Sequence, residues 1–248
     1  MTMNERFIDI NMNFDHPDYP EESTLDAIVR KMSQDQVTDA VLTPLRPLID
    51  FRFSACNDEL HQAIAGHSNL VGLGIILPHH GPNEVERCIK DLGFKGIHLF
   101  PDLHWTILNL RRDIIDPVFA KAQELKIPIY LNTGRSDPWS NPGTVYDIAV
   151  RFPDVPIVMG HMWDTNLWPD AIVVARHCQN VYLEIPLLVT GAIKQAISEI
   201  GTDRLIVGSG YPESSPAAVR IMVAEYLDLS ESEIQAVLYS NAKKLFGF

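Results

Sequence analysis

Eight short apolar, β-rich runs recur along this chain with amphipathic stretches between them, and that rhythm limits the fold more than any other feature. The runs are Phe7–Asn11, Asp39–Thr43, Leu70–Leu77, Gly96–Phe100, Pro128–Asn132, Pro156–Gly160, Val181–Ile185 and Arg204–Gly208. Several are apolar on consecutive residues, as in Ile157-Val158-Met159 and Leu205-Ile206-Val207. Continuous apolarity suits strands covered on both faces, the pattern of a parallel sheet. Helix signals fall between the runs. Asn57 precedes Asp58-Glu59-Leu60 as a cap with first-turn acids, and Asp116 before Pro117 reads as a cap with the favoured first-turn proline. Ser230 with Glu233 forms a capping box, and residues 83–91 and 216–227 show helical spacing. Eight βα units without a biased linker predict one domain over residues 1–248, a single (β/α)8 TIM barrel of the α/β class. The competing doubly wound sheet would carry a glycine fingerprint in its first βα turn, and Ile10-Asn11-Met12-Asn13 has none.

Charge and cysteine usage narrow the partners. Twenty Lys+Arg against 32 Asp+Glu give a net charge of −12. The longest basic clusters are the pairs Arg111-Arg112 and Lys243-Lys244, so neither nucleic acid nor an anionic membrane is an expected partner. Cys56, Cys88 and Cys178 are widely spaced and odd in number, which fits packed thiols in a reducing compartment. Residues 1–6 show no apolar leader, and no apolar run approaches the ~20 residues of a membrane helix. The expected location is cytoplasmic and the expected partner is a small-molecule substrate. Pairing of such barrels through loops and outer helices allows a homodimer.

In a barrel of this kind the reactive groups lie where strands end and βα loops begin. That rule selects Asn11 and Asn13 after the first strand, His79 and His80 after the third, His98 on the fourth and Asn132 with Arg135 after the fifth. It also selects His161 and Trp163 after the sixth, Glu184 on the seventh, and Gly210 with Tyr211 after the eighth.

Those strand ends resemble the amidohydrolase-related family, the branch of the amidohydrolase superfamily that holds metal-dependent hydrolases and decarboxylases. Phe7-Ile8-Asp9-Ile10-Asn11-Met12-Asn13 falls on an I-D-x-H-x-H opening. Residues 93–101, GFKGIHLFP, resemble G-x-x-G-I-K-L-x-P, and Asn132-Thr133-Gly134 falls on H-T-G. Gly160-His161 matches a strand-six G-H, residues 201–212 fall on G-x-D-R-I-L-F-G-S-D-Y-P, and residues 241–247 match N-A-x-R-L-F-G. The resemblance implies a divalent metal held by the two opening histidines, the strand-five histidine and the strand-eight aspartate. Here those four positions are Asn11, Asn13, Asn132 and Gly210, and only the strand-six histidine of the family, at His161, survives. Asparagine offers a neutral oxygen, a weak ligand for zinc, and glycine offers no side chain at all. The expectation is a metal-free pocket with no cofactor.

Such a pocket would act on a small carboxylic acid, lactone or amide by general acid/base hydrolysis or decarboxylation. His161 is the expected acid or base, with His98 or Glu184 as the second group. Asn11, Asn13 and Asn132 would meet the substrate oxygen or the developing oxyanion, with Arg135, Trp163, Gly210 and Tyr211 as further substrate contacts. Each of these has a plainer explanation: a packed core histidine for His98, a salt bridge to the helix layer for Glu184, mutual hydrogen bonding for the asparagines. Two alternatives stay open. One is a catalytically degenerate homologue that binds a small molecule or a partner. The other is a hydrolase whose metal has moved to His98, His161 and Glu184.

Overall fold

Each apolar run becomes a strand paired in parallel with the next. The computed structural model describes residues 6–101, 111–133, 139–160, 167–185 and 189–248. The strands are β1 Ile8–Phe14, β2 Asp39–Pro44, β3 Leu70–Ile75, β4 Gly96–Leu99, β5 Ile129–Asn132, β6 Ile157–Gly160, β7 Val181–Ile185 and β8 Leu205–Val207, in the spatial order β1 to β8. Parallel bridging between Met12 and Tyr211, with Gly210 N–H donating to Asn11 O (2.9 Å) and Asn13 N–H to Tyr211 O (2.8 Å), joins the end of β8 to β1. The single (β/α)8 TIM barrel follows.

Alternation decides what each strand residue faces. Ile8, Ile10, Val41, Leu73, Tyr130, Val158 and Ile206 pack together inside the barrel with Ala242 and Phe246. Their neighbours, such as Leu42, Ile97, Leu99, Leu131, Met159, Leu183 and Val207, pack in the layer beneath the helices. Both faces of the sheet are therefore apolar, which accounts for the unbroken apolar runs.

The surrounding helices are α1 Leu25–Asp35, α2 Pro47–Asp50, α3 Phe53–Ile64, α4 Pro82–Lys90, α5 Arg112–Leu125, α6 Gly143–Arg151, α7 Trp168–His177, α8 Thr190–Ile200, α9 Pro216–Tyr226, α10 Glu231–Gln235 and α11 Asn241–Phe246. Ser230 and Glu233 make the expected capping box at α10. Two expected caps are corrected. Asn57 lies inside α3, fully buried; its amide pairs with both polar groups of the Ile75 backbone, Nδ2 to O (3.1 Å) and Oδ1 from N–H (3.0 Å). Pro117 lies inside α5, which starts at Arg112, and Asp116 pairs with Arg151 instead of capping. No helix among the described residues is long and apolar enough to cross a membrane.

One irregularity shapes the interior. Asp9 pairs with Ala40, but the next paired residue, Met12, sits opposite Leu42, so Ile10 and Asn11 together face the single position of Val41. This bulge breaks the alternation and lets Ile10 and Asn11 both enter the barrel. β1 then runs on to Phe14, so Asn13 is a strand residue rather than a loop residue.

Candidate functional site

Above the apolar floor of the barrel the inward residues turn polar. The mouth carries Asn11 and Asn13 from β1, Thr43 from β2, His98 from β4, Asn132 from β5 and Glu184 from β7. All but Asn132 are buried; Asn132 is half-exposed.

Glu184 points inward, since Leu183 and Ile185 on either side belong to the outer layer. Asn11 Nδ2 donates to Glu184 Oε1 (2.9 Å) and to the Tyr130 hydroxyl (3.0 Å), which commits both amide protons. Two glycines make room for this bridge. A Cβ on Gly208 would lie 1.9 Å from Glu184 Oε1, and one on Gly160 would lie 2.0 Å from the Tyr130 hydroxyl. These glycines end β6 and follow β8, so their missing side chains admit a carboxylate and a phenol to the interior.

His98 lies flat against Phe100, ring centroids 4.1 Å apart, with Tyr130 at 4.2 Å on a tilted plane. Its Nδ1 is 3.0 Å from Thr43 Oγ1 and its Nε2 is 3.2 Å from Asn132 Oδ1. The amide oxygen can only accept, so Nε2 carries the proton and the threonine hydroxyl donates to Nδ1 of the neutral ring. Both nitrogens are thus engaged by neutral groups, and His98 sits as a packed, hydrogen-bonded histidine.

Gly210 does not simply leave a hole. Its φ is +70°, in the left-handed region, and its carbonyl accepts from Asn13 Nδ2 (3.3 Å). Tyr211 turns its side chain toward α1, into a cleft with Glu22, Arg30 and Lys31, and packs on the outer apolar layer away from the polar mouth. His161, Arg135 and Trp163 lie outside the described residues.

Three residues of this region escape a strand-end reading of the sequence. Tyr130 hides in the apolar run Ile129-Tyr130-Leu131, and Thr43 closes another; two-residue alternation from Asn132 and from Val41 would have found them. The third is Asp9. Its Oδ1 accepts the N–H groups of Asn11 (3.1 Å) and Ser209 (2.9 Å), stitching the bulge of β1 to the end of β8. Its Oδ2 is buried without a hydrogen-bond partner. Burial pushes the Asp9 carboxyl up to about 7, against the lowering effect of its Ser209 and Asn11 hydrogen bonds, and the nearby Glu184 adds to the rise.

The amidohydrolase family profile matches residues 53–248, and the chain belongs to that family. A gamma-resorcylate decarboxylase from Polaromonas sp. strain JS666 is 23% identical over 221 residues, 68% of this chain and 67% of that protein. A crystal structure described as a putative amidohydrolase from Staphylococcus aureus superposes with a TM-score of 0.78 at 21% identity, covering 98% of this chain and 100% of the other. The 5-carboxyvanillate decarboxylase of Novosphingobium aromaticivorans, complexed with manganese and 4-hydroxy-3-methoxy-5-nitrobenzoic acid, superposes at 0.79 with 17% identity over 100% of both chains. The likeness to these two structures is one of fold.

The described residues do not fit the divalent ion that the family implies. Asn11 directs its N–H groups, not its oxygen, at Glu184, and the oxygen of Asn132 is taken by His98. Gly210 supplies no side chain. Among the described residues no three of His, Cys, Asp or Glu converge to hold a metal. Neutral amides turned this way are donors of hydrogen bonds rather than ligands for a cation.

Proposed function

We propose that this chain is a decarboxylase of a small aromatic carboxylic acid that works by general acid/base chemistry without a resident metal ion. What carries the reading is the amide-rich mouth of the barrel: the neutral amides of Asn11, Asn13 and Asn132 stand where the family resemblance places metal ligands, beside a buried Glu184. The substrate class comes from relatives whose names specify gamma-resorcylate and 5-carboxyvanillate as their acids. In such a reaction the C–CO2 bond breaks, CO2 leaves, and a proton takes its place on the ring carbon. His161 is the proposed proton donor and Glu184 its partner, with Asn13, Asn132, Arg135 and Trp163 around the substrate. Preorganised N–H donors can steady developing negative charge without a cation.

The test is CO2 release from a panel of mono- and dihydroxybenzoates. Protein freed of metal by chelation and protein supplied with manganese are assayed side by side. Equal turnover in both, abolished in a folded His161→Ala variant, is the expected result. Turnover that requires manganese would overturn the metal-free half of the reading. Binding of an acid without turnover in either form would point instead to a degenerate homologue that only binds.

A further inference from the structure

The three asparagines of the mouth are not equivalent, and the hydrogen bonds beneath them fix what each can offer a ligand. Asn11 has committed both amide protons to Tyr130 and Glu184. Asn13 has committed one to the carbonyl of Gly210. Asn132 is the opposite case. Its oxygen faces inward onto His98 Nε2, and its Nδ2 has no hydrogen-bond partner among the described residues. It is also the half-exposed member of the polar ring.

We infer that Asn132 is the group that receives the carboxylate of the ligand, and that Thr43 and His98 are positioning residues that set the direction of its amide. This rests on the reading of the chain as an enzyme of small carboxylic acids. The relay works by proton bookkeeping at the imidazole. With Asn132 Oδ1 on Nε2 (3.2 Å), the single ring proton resides on Nε2, and the Thr43 hydroxyl, 3.0 Å from the bare Nδ1, is left to donate to it. An Nε2–H can bond only to the oxygen of the Asn132 amide, which turns both N–H bonds of Nδ2 toward the mouth. Were the proton on Nδ1, the bare Nε2 would accept from Nδ2, and the amide would present an oxygen that repels a carboxylate. Packing holds the ring in place: Phe100 covers one face, Tyr130 leans on it, and His98 is buried. A polar side chain fixed through two others approaches its ligand already oriented, so little ordering entropy remains to be lost on binding.

Two readouts test this. The first is independent of any ligand: the tautomer of His98 in 15N-histidine-labelled protein, assigned by the resonances lost in His98→Gln. Wild type should show the proton on Nε2. Thr43→Val, nearly isosteric, should shift population toward the Nδ1 proton, and Thr43→Ser should restore the wild-type pattern. The second is calorimetric binding of 2,6-dihydroxybenzoate against resorcinol, the same ring without the carboxylate. Asn132→Ala and Thr43→Val should each weaken the acid about three- to tenfold, the equivalent of one hydrogen bond, and leave resorcinol unchanged. Thr43→Ser should bind as wild type does. A wild-type His98 with its proton on Nδ1 overturns the relay. Acid affinity unchanged in Asn132→Ala, or no binding of the acid by wild type at millimolar concentration, overturns the carboxylate assignment. Neither readout depends on turnover, so a failed decarboxylation assay and a failed relay are separable.

Discussion

Asp9 offers a sharp test of how the barrel closes, through the pH dependence of stability in Asp9→Asn. The carboxyl is fully buried, with one oxygen accepting two backbone N–H groups and the other unpartnered. Burial raises it from 3.8 to about 7. A folded-state value above the unfolded value means that the folded chain keeps a proton the unfolded chain has shed. Stability from this group is therefore complete below pH ~4, declines as pH rises toward ~7, and stays at its lower level beyond. A difference of about 3 pH units at ~1.36 kcal/mol each amounts to ~4 kcal/mol. The asparagine side chain of the variant would keep an acceptor for both N–H groups and carry no charge. Urea unfolding at pH 4.5, 6 and 8 should thus find the variant close to wild type at pH 4.5 and more stable by about 3–4 kcal/mol at pH 8. Other carboxylates titrate in the same window. Glu84, for example, is held below the usual range despite its burial, because Arg87 and Asn57 bond to it, and its contribution has the opposite sign. Such groups are common to both proteins and cancel in the difference. A wild-type-minus-variant difference that stays flat with pH, or a variant less stable than wild type at pH 8, would refute the reasoning.

Gly160→Ala should destabilise by about 2–4 kcal/mol through overpacking against the Tyr130 ring and loss of its bond to Asn11. In a Tyr130→Ala background the same change should register near zero in a double-mutant cycle read by urea unfolding; an undiminished effect would show that the clash lies elsewhere. Asn57→Ala removes both partners of the buried Ile75 backbone and should lower stability by about 2–4 kcal/mol. A loss under ~1 kcal/mol in the same assay would mean that water or a neighbour satisfies those groups.

Much of this architecture was legible because burial on both faces leaves a simple mark. Ile157-Val158-Met159 and Leu205-Ile206-Val207 have no polar residue to interrupt them, and the sheet has no solvent face. Helix starts were less legible. Asn57 has the chemistry of a cap, but the same amide is equally able to pair with a strand backbone, and only the approach of β3 decides which occurs. The Asp116-Pro117 pair misleads for a related reason: α5 gains enough from burying Ile115, Val118 and Phe119 to run through a proline. At the site, the positions of Asn11, Asn13, Asn132 and Glu184 could be chosen from strand ends. Their directions could not. The bulge that turns Asn11 inward leaves no trace in composition, and a two-residue alternation from Ile8 and Ile10 would have pointed Asn11 at the helices. Nor does the sequence reveal which amide oxygen is tied down. That follows from where His98 Nε2 lies, 3.2 Å from Asn132 Oδ1, with Thr43, a residue that reads as an ordinary strand end, on the other ring nitrogen.

The four positions that depart from the expected metal-ligand pattern are each tied by hydrogen bonds to the structure around them, so restoring one alone would not rebuild a metal site. Gly210 sits at φ +70°, a conformation that costs an L side chain about 1–2 kcal/mol, so an aspartate there would begin strained. Its carbonyl is bonded by the Asn13 amide and its N–H by the Asn11 carbonyl, so the turn at the end of β8 depends on β1 directly. Replacing Asn11 by histidine would leave Glu184 and Tyr130 without the two protons that now bridge them, inside a space that Gly208 and Gly160 shape around that bridge. Replacing Asn132 by histidine would set two imidazoles against each other, with His98 losing the oxygen its Nε2 proton requires. Asn11, Asn13 and Gly210 thus behave as one coupled unit at the closure of the barrel, and Asn132 is coupled to His98, so the energy of each change depends on its bonded neighbours.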